Sequence, residues 1–140
     1  MRGYRFLEHT SDVYVEAYGK SLEEAFEEAA KALTDTIVDI TKIDLQLEEN
    51  IKVSGVDLED LLVRWLNELL YKFDAENKVF AEFKVKSLDK TRCTLEAIAK
   101  GELYNPDKHD FKVEVKSVTY GMLSIEESPE ITKIRVLFDI

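Results

Sequence analysis

The residues with the potential to bind a metal ion lie near the two ends of the chain. His9-Thr-Ser-Asp12 is a short polar run between two predicted strands, and Phe138-Asp-Ile140 places a side-chain carboxylate next to the terminal residue. Polar runs of this kind are ordinarily turns, and a carboxylate near a chain end is ordinarily solvated. If the fold brings Asp12 beside Asp139, however, several anionic oxygens converge, and they repel one another unless a cation lies between them. Oxygen ligands suit Ca²⁺ or Mg²⁺ rather than zinc or copper.

A second acidic group, Asp35 and Asp39, lies at the end of the first predicted helix. Carboxylates at the C-terminal end of a helix oppose its dipole by about 0.3–1 kcal/mol each, and exposure to water is the ordinary explanation for them. His109 lies in a polar loop, residues 104–110. None of these groups forms a Ser–His–Asp or Cys–His pattern, so their spacing supports no catalytic nucleophile.

Two amphipathic helices are predicted to position these groups. The first begins at the capping-box pair Ser21 and Glu24, and its apolar positions recur every three or four residues: Leu22, Ala25, Phe26, Ala29, Ala30, Leu33 and Ile37. Its expected solvent face carries Glu23, Glu27, Glu28 and Lys31, with Glu27 and Lys31 spaced as an ion pair.

The second helix is predicted to begin at Asp57. Its apolar face consists of Leu58, Leu61, Leu62, Trp65, Leu66, Leu69, Leu70 and Phe73, and its opposite face of Glu59, Asp60, Arg64, Glu68 and Lys72. Burial of so many large side chains makes this helix a principal core element, so we expect Trp65 in the core.

The remaining segments alternate between apolar and polar residues, which predicts strands. The alternation covers residues 13–17, 51–53, 79–85, 93–99 and 134–140. Residues 87–91 are predicted to form a hairpin turn, and Cys93 a small buried position of the strand that follows.

The segment 113–125 contains a break in this alternation. Val113 and Val115 share one parity, whereas the apolar residues from Val118 onward share the other, so one residue near Lys116 is out of phase. The break indicates either a β-bulge or a plain irregularity of the strand. Because bulges re-aim side chains beside functional sites, Lys116 becomes a candidate functional residue.

The order of elements is two strands, a helix, a strand, a helix and about four strands. This order predicts one α+β domain, residues 1–140, with two helices packed on one face of a mostly antiparallel or mixed sheet of about seven strands. The absence of a Gly-rich phosphate loop and of steady β-α-β alternation excludes a Rossmann or P-loop protein.

Composition indicates a globular protein, with 45% hydrophobic and 34% charged residues. No apolar run is long enough to cross a membrane, and Glu8 lies where a secretory signal would still be apolar. A single cysteine excludes an internal disulfide framework. We therefore expect a cytoplasmic location without membrane association.

The formal net charge of −10 disfavours direct binding to nucleic acid, whose phosphates attract basic surfaces. It favours docking onto a basic protein surface, such as that of an RNA-handling enzyme. Solubility is the ordinary alternative explanation of an acidic surface.

Six blocks of sequence resemble the archease family. They are Phe6-Leu-Glu-His-Thr-Ser-Asp12, residues 17–26, residues 57–71, Lys108-His109, residues 114–120 and the terminal Phe138-Asp-Ile140. The blocks appear in order and span nearly the whole chain. The resemblance implies a small α+β sandwich that is not an enzyme but a protein cofactor of the RtcB-type tRNA-splicing ligase. Such a cofactor promotes guanylylation and multiple turnover of the ligase and broadens its nucleotide use.

The same resemblance implies roles for individual residues. The family's metal site, usually described with Ca²⁺, matches Asp12, Asp139 and Ile140, and two further functional positions match Asp35 and Lys116. One departure is that many relatives have His where this chain has Gly121. Two alternatives remain open: a metal-dependent hydrolase using the three aspartates, or a general chaperone or interaction module.

Overall fold

The computed structural model describes residues 1–140 and contains seven strands, two long helices and a short one. In chain order these are β1 (Gly3–Leu7), β2 (Val13–Gly19), α1 (Leu22–Ile37), β3 (Leu47–Ser54), α2 (Leu58–Glu76), β4 (Lys78–Asp89), β5 (Thr94–Leu103), α3 (Pro106–His109), β6 (Ser117–Glu127) and β7 (Thr132–Asp139), with a 3₁₀ turn at Ile40–Lys42. The predicted α+β class, the order of elements and the number of strands are confirmed. No helix is long and apolar enough to cross a bilayer.

The strands form two antiparallel sheets rather than one. The first sheet has the order β1-β2-β7-β6 and the second the order β3-β5-β4. Strands β2 and β7, from opposite ends of the chain, are the central pair of the first sheet, with Val15 opposite Val136. Both of these valines are fully buried. The hydrophobic pairing of β2 with β7 therefore brings the two ends of the chain together.

Both long helices contact strands of both sheets. Helix α1 packs against β2 and β4, and α2 packs against β6 and β3. The apolar faces predicted from the sequence meet in a single cluster of 31 buried residues, so one core serves the whole chain. Trp65 lies fully buried in this core, as predicted: its indole N–H donates to the Phe26 carbonyl at 3.1 Å, and its ring meets Phe83 edge to face.

The contacts of α1 with both sheets bury two acidic residues that were predicted to face solvent. Glu27 and Glu28 are each only 3% exposed. Glu27 accepts a hydrogen bond from the Val85 amide of β4 at 2.8 Å and pairs with Arg2 at 2.6 Å. Glu28 also pairs with Arg2, at 2.6 Å, and with Lys31 at 3.2 Å. The predicted Glu27–Lys31 pair is wrong because Glu27 is turned towards β4 and Lys31 pairs with Glu28 instead.

The hairpin between β4 and β5 turns later than predicted. Strand β4 continues through Asp89, whose carboxylate accepts hydrogen bonds from the amides of Thr91 and Arg92 and so closes the turn at residues 90–93. Cys93 lies in this turn, half-buried and with φ of 52°. The prediction of Cys93 as a buried strand residue is therefore wrong.

The break in alternation near Lys116 is the start of a strand, since residues 111–116 belong to no strand. A bulge lies further along β6. Thr119 pairs with Leu137 and Ser124 with Arg135, so four residues, 120–123, face a single residue of β7. Because they project from the sheet, Tyr120 and Met122 are exposed.

The bulge is tied to α2 through Asp60, which is 5% exposed although the helical pattern places it on the solvent face. Its carboxylate accepts hydrogen bonds from the Tyr120 hydroxyl, the Val56 amide and Arg64. These bonds lower the pKa of Asp60 to about 2, and the hydrogen bond from Tyr120 makes the largest contribution.

We expect Trp65→Ala to lower the free energy of unfolding by about 3–5 kcal/mol, because the substitution leaves a cavity in the shared core. Chemical denaturation followed by circular dichroism measures this loss. Tyr71→Ala is the matched control, because Tyr71 lies on the same helix but is exposed; its unfolding free energy should change much less. Equal losses in the two variants would contradict the assignment of Trp65 to the core.

We expect Tyr120→Phe to shift acid unfolding to higher pH. The lowered pKa of Asp60 stabilises the fold above the ordinary aspartate pKa, and this contribution is lost as pH falls towards about 2. Without the Tyr120 hydroxyl, the pKa of Asp60 rises and the loss begins earlier. Ellipticity recorded between about pH 5 and pH 1 measures the midpoint. Tyr71→Phe should leave that midpoint in place, and an unshifted midpoint for Tyr120→Phe would contradict the role of the hydrogen bond.

Candidate functional site

The register of β2 and β7 brings Asp12 and Asp139 to the same end of the first sheet. Val13 is opposite Phe138, Asp12 immediately precedes Val13, and Asp139 immediately follows Phe138. Neighbouring antiparallel strands lie about 5 Å apart, so the two carboxylates are carried on adjacent chain segments. The structure therefore places Asp12 and Asp139 on neighbouring segments at one end of the sheet.

Lys116 and Ile140 lie at the same end of the sheet. Ser117 of β6 pairs with Asp139, and the Lys116 amide donates to the Asp139 carbonyl at 2.7 Å. We call Asp12, Asp139 and Ile140, with Lys116 beside them, the acidic corner. Four of the five site residues predicted from the sequence therefore lie together.

The carboxylates of the acidic corner have no protein partner. Asp12 and Asp139 are half-buried, and neither takes part in any of the chain's ion pairs. The Lys116 side chain is exposed and also unpaired. The corner is not a ready-made metal cage, since no group of three or more His, Cys, Asp or Glu side chains is placed to hold a metal ion.

Asp35, the fifth predicted residue, is already bound by other groups. Lys112 pairs with its carboxylate at 3.1 Å, the Tyr4 hydroxyl donates to it at 3.2 Å, and the Ile40 amide lies at 3.4 Å. Lys112 also donates to the Asp35 carbonyl at 2.8 Å. Helix α1 has no basic residue in its last turn, so Lys112 supplies the positive charge that the end of the helix lacks.

Asp35 nevertheless faces the same groove as Asp12. This groove is lined by Phe6, Leu7, Asp12, Val13, Tyr14, Asp35, Thr36, Lys112 and Val113. Most of its exposed lining is apolar, and Phe6 is 49% exposed at its edge. Partial burial raises the pKa of Tyr4 well above its usual range, and the charge and hydrogen bond of Asp35 raise it further.

Lys112 and Tyr4 are the residues of this region that the sequence analysis missed. A signal for Lys112 was present: two carboxylates at the end of α1 without a local cation imply a cation from elsewhere in the chain. Only the tertiary structure shows that Lys112, rather than another lysine of residues 104–116, is this cation. Asp39, the other carboxylate, accepts a hydrogen bond from the Thr41 amide at 3.0 Å and begins the 3₁₀ turn.

Gly121 lies in the bulge of β6, where the backbone does not require glycine. No glycine of the chain has a positive φ. A Cβ added at Gly121 would meet only ordinary contacts, with Thr119 Oγ1 at 3.7 Å and Leu137 Cδ2 at 3.8 Å. A larger side chain would therefore fit here, and nothing in the structure explains the glycine.

The segment between β5 and β6, residues 104–116, forms a strap across the end of α1. His109, placed by the sequence in a polar loop, is fully buried within it. Its Nε2 lies 2.8 Å from Glu102. Burial alone would raise the pKa of Glu102, but hydrogen bonds from Lys108, His109 and the Asp44 amide lower it to about 2.

Comparison with known proteins agrees with this architecture. The model of the Archease protein family (MTH1598/TM1083) matches residues 4–140. The protein archease of Pyrococcus furiosus is 47% identical over 131 residues, which cover 93% of this chain and 92% of the relative. That of Sulfolobus acidocaldarius is 41% identical over 140 residues and covers both chains completely.

Two solved structures have the same fold. The solution structure of protein 1598 of Methanobacterium thermoautotrophicum is 32% identical, with a TM-score of 0.81 and 99% coverage of both chains. A crystal structure from Thermotoga maritima, described as an archease and possible chaperone, is 23% identical with a TM-score of 0.66, covering 96% of this chain and 94% of that one.

The fold and the site define a class of small α+β proteins in which helices join two antiparallel sheets and an acidic corner lies where the two chain ends meet. Within that class, the whole-length matches identify the group: this chain belongs to the archease family. The resemblance found in the sequence is thereby confirmed.

We expect Asp35→Asn to lower the pKa of Tyr4 towards its ordinary value, because the substitution removes a negative charge 3.2 Å from the hydroxyl. NMR titration of labelled tyrosine at alkaline pH measures the change. Asp39→Asn is the control, since Asp39 bonds Thr41 and not Tyr4. An unchanged titration of Tyr4 in Asp35→Asn would contradict the described contact.

Proposed function

We propose that this protein activates an RtcB-type tRNA-splicing ligase, as a protein cofactor and not as an enzyme. Membership of the archease family supports the proposal, because the sequence blocks that carry the resemblance imply this role. In the proposed function the protein promotes guanylylation of the ligase, allows multiple turnover, and broadens the nucleotides that the ligase uses.

The observation that carries the proposal is the acidic corner. Asp12 and Asp139 lie on neighbouring segments at the end of the central strand pair, and their carboxylates have no cationic partner, whereas Asp35 is paired with Lys112. Adjacent unpaired like charges are unfavourable, and a bound cation removes the repulsion. Lys116, also unpaired, lies next to this pair and provides a positive charge for a phosphate group.

The ligand atoms that the corner offers are of the type that a hard cation prefers. Asp12, Asp139 and the main chain at Ile140 offer only oxygen atoms, which suit Ca²⁺ and also Mg²⁺. Ca²⁺ is favoured because it accepts an irregular set of six to eight oxygens, whereas Mg²⁺ demands near-ideal octahedral geometry. A cation bound there would supply positive charge at the protein surface, in a position to meet a nucleotide phosphate or a carboxylate of the ligase.

The two alternatives from the sequence have less support. A hydrolase that used Asp12, Asp35 and Asp139 together would need Asp35 as a ligand or base, but Lys112 and Tyr4 already bind it. The chaperone description belongs to the Thermotoga maritima protein, whose 23% identity supports only the fold.

The partner surface is inferred to be a basic protein surface in the cytoplasm. The net charge of −10 favours a basic partner and opposes direct contact with RNA. The apolar groove beside the corner, with exposed Phe6, adds surface that a protein partner could bury.

We expect Asp139→Ala to weaken Ca²⁺ binding about tenfold or more, because it removes one of only two side-chain ligands. Calorimetry on the isolated protein measures the affinity, and a guanylylation assay of an RtcB-type ligase measures activation, which should fall in parallel. The fold should persist, because Asp139 bonds through its backbone.

Glu130→Ala is the matched control, since it removes an exposed carboxylate remote from the corner along the sheet. It should leave both readouts unchanged. Full activation by Asp139→Ala would reject the role of the corner, and no acceleration of guanylylation by the natural protein with Ca²⁺ would reject the proposed function. Turnover of a phosphoester by the isolated protein, abolished in Asp12→Ala, would favour the hydrolase instead.

A further inference from the structure

The strap, residues 104–116, is attached to the rest of the molecule at both ends. At its start, the Tyr104 amide donates to the Asn77 carbonyl at 2.7 Å. At its end, the Lys116 amide donates to the Asp139 carbonyl, and Val115 is buried, 2% exposed. The strap therefore delivers Lys116 to the acidic corner.

In its middle, the strap is bonded to the residues that end α1. The Asp39 amide donates to the His109 carbonyl at 2.9 Å, and the Lys112 amide donates to the Ile37 carbonyl at 2.8 Å. The second of these bonds holds the Lys112 backbone at the end of α1, where its side chain pairs with Asp35. Lys112 and Lys116 thus lie three and seven residues after His109 on the same strap.

His109 is the only side chain of the strap that is fully buried and polar, and both of its ring nitrogens are used. Nδ1 accepts a hydrogen bond from the Asn105 amide at 2.9 Å. Because Nδ1 is an acceptor, the ring proton is on Nε2, which donates to the Glu102 carboxylate at 2.8 Å. The imidazole therefore joins the last residues of β5 to the first turn of the strap in one defined tautomer.

The charged groups around His109 are paired with one another or with the imidazole. Glu102 is its direct partner, and Lys108 pairs with Glu102 at 2.8 Å and with Asp44 at 2.6 Å. The Tyr104 ring stacks on the imidazole at a centroid distance of 5.9 Å. From the 3₁₀ turn, Lys42 pairs with Asp110, the residue after His109. A second proton on the imidazole would turn Nδ1 into a donor that faces the Asn105 N–H, so the Asn105 bond requires a neutral ring.

We infer that His109 is a positioning residue of the acidic corner: its ring fixes the start of the strap to Glu102 of β5, and the strap so held places Lys112 on Asp35 and Lys116 beside Asp139. The inference rests on the proposed function for its biological meaning, but its structural content is separate. His109 touches neither aspartate of the corner and acts only through the strap.

Amide hydrogen exchange of the isolated protein tests the inference. In His109→Gln, which cannot reproduce both ring contacts, we expect protection of the amides of Asp39, Lys112 and Lys116 to fall about tenfold relative to amides in the interior of α2. Equal loss across the molecule would show that His109 contributes only general stability. Unchanged protection of the strap would equally overturn the inference.

A second variant keeps the test independent of whether His109→Gln folds. Glu102→Gln removes the carboxylate that binds Nε2 of His109, so protection of the amides of Asp39, Lys112 and Lys116 should again fall relative to the interior of α2. His9→Asn is the matched control, since His9 is the chain's other histidine and is exposed. A similar loss of strap protection in His9→Asn would reject the inference.

The ligase assay separates this inference from the proposed function. If His109→Gln loosens the strap and lowers activation while Ca²⁺ binding is kept, both hold. If the strap loosens but activation of a responsive ligase is unchanged, strap positioning has no functional role and the inference is rejected, although the acidic corner stands. If the ligase does not respond to the natural protein, the proposed function fails, while the exchange data still decide whether His109 holds the strap.

Discussion

The pairing of β2 with β7 is the interaction on which the rest of the structure depends. These strands come from opposite ends of the chain, form the centre of the four-stranded sheet and share a face of fully buried residues that includes Val15 and Phe138. A shift of one residue would turn that face towards solvent, so burial specifies the register. The same register carries Asp12 to Asp139, and the fold and the site therefore have one physical cause.

The buried carboxylates of this acidic protein, Glu16, Glu27, Glu28 and Asp60, each pair with an arginine. Burial alone would raise the pKa of Glu16, but Arg135 and Arg5 bind its carboxylate and lower it. Glu27 and Glu28 share Arg2. The buried carboxylates thus have cationic partners, whereas the half-buried Asp12 and Asp139 do not. Less buried carboxylates elsewhere, such as Glu23 and Glu59, are also unpaired, so what sets Asp12 and Asp139 apart is their position on neighbouring chain segments.

The end of α1 links the corner to the second sheet. Its carbonyls and its Asp35 carboxylate are bonded by the strap, and the strap begins at β5, whose Glu102 binds His109. The strap therefore connects the end of α1, through Lys112, with Glu102 at the end of β5, through the buried imidazole of His109. Because the helices contact both sheets, the corner is held by contacts from each of them, although its own residues belong to the first sheet.

The sequence by itself determined the local elements: periodic apolar positions predicted α1 and α2, Ser21 and Asp57 marked their caps, and alternation predicted most strands, because these signals arise from neighbours in the chain. It also indicated Asp12, Asp139 and Lys116 as candidates. Tertiary structure decided what depends on distant partners: two sheets rather than one, the burial of Glu27 and Asp60, the turn at Cys93, and the pairing of Asp35 with Lys112. Contacts between residues far apart in the chain set these features, and no local pattern encodes which partner a charged side chain meets.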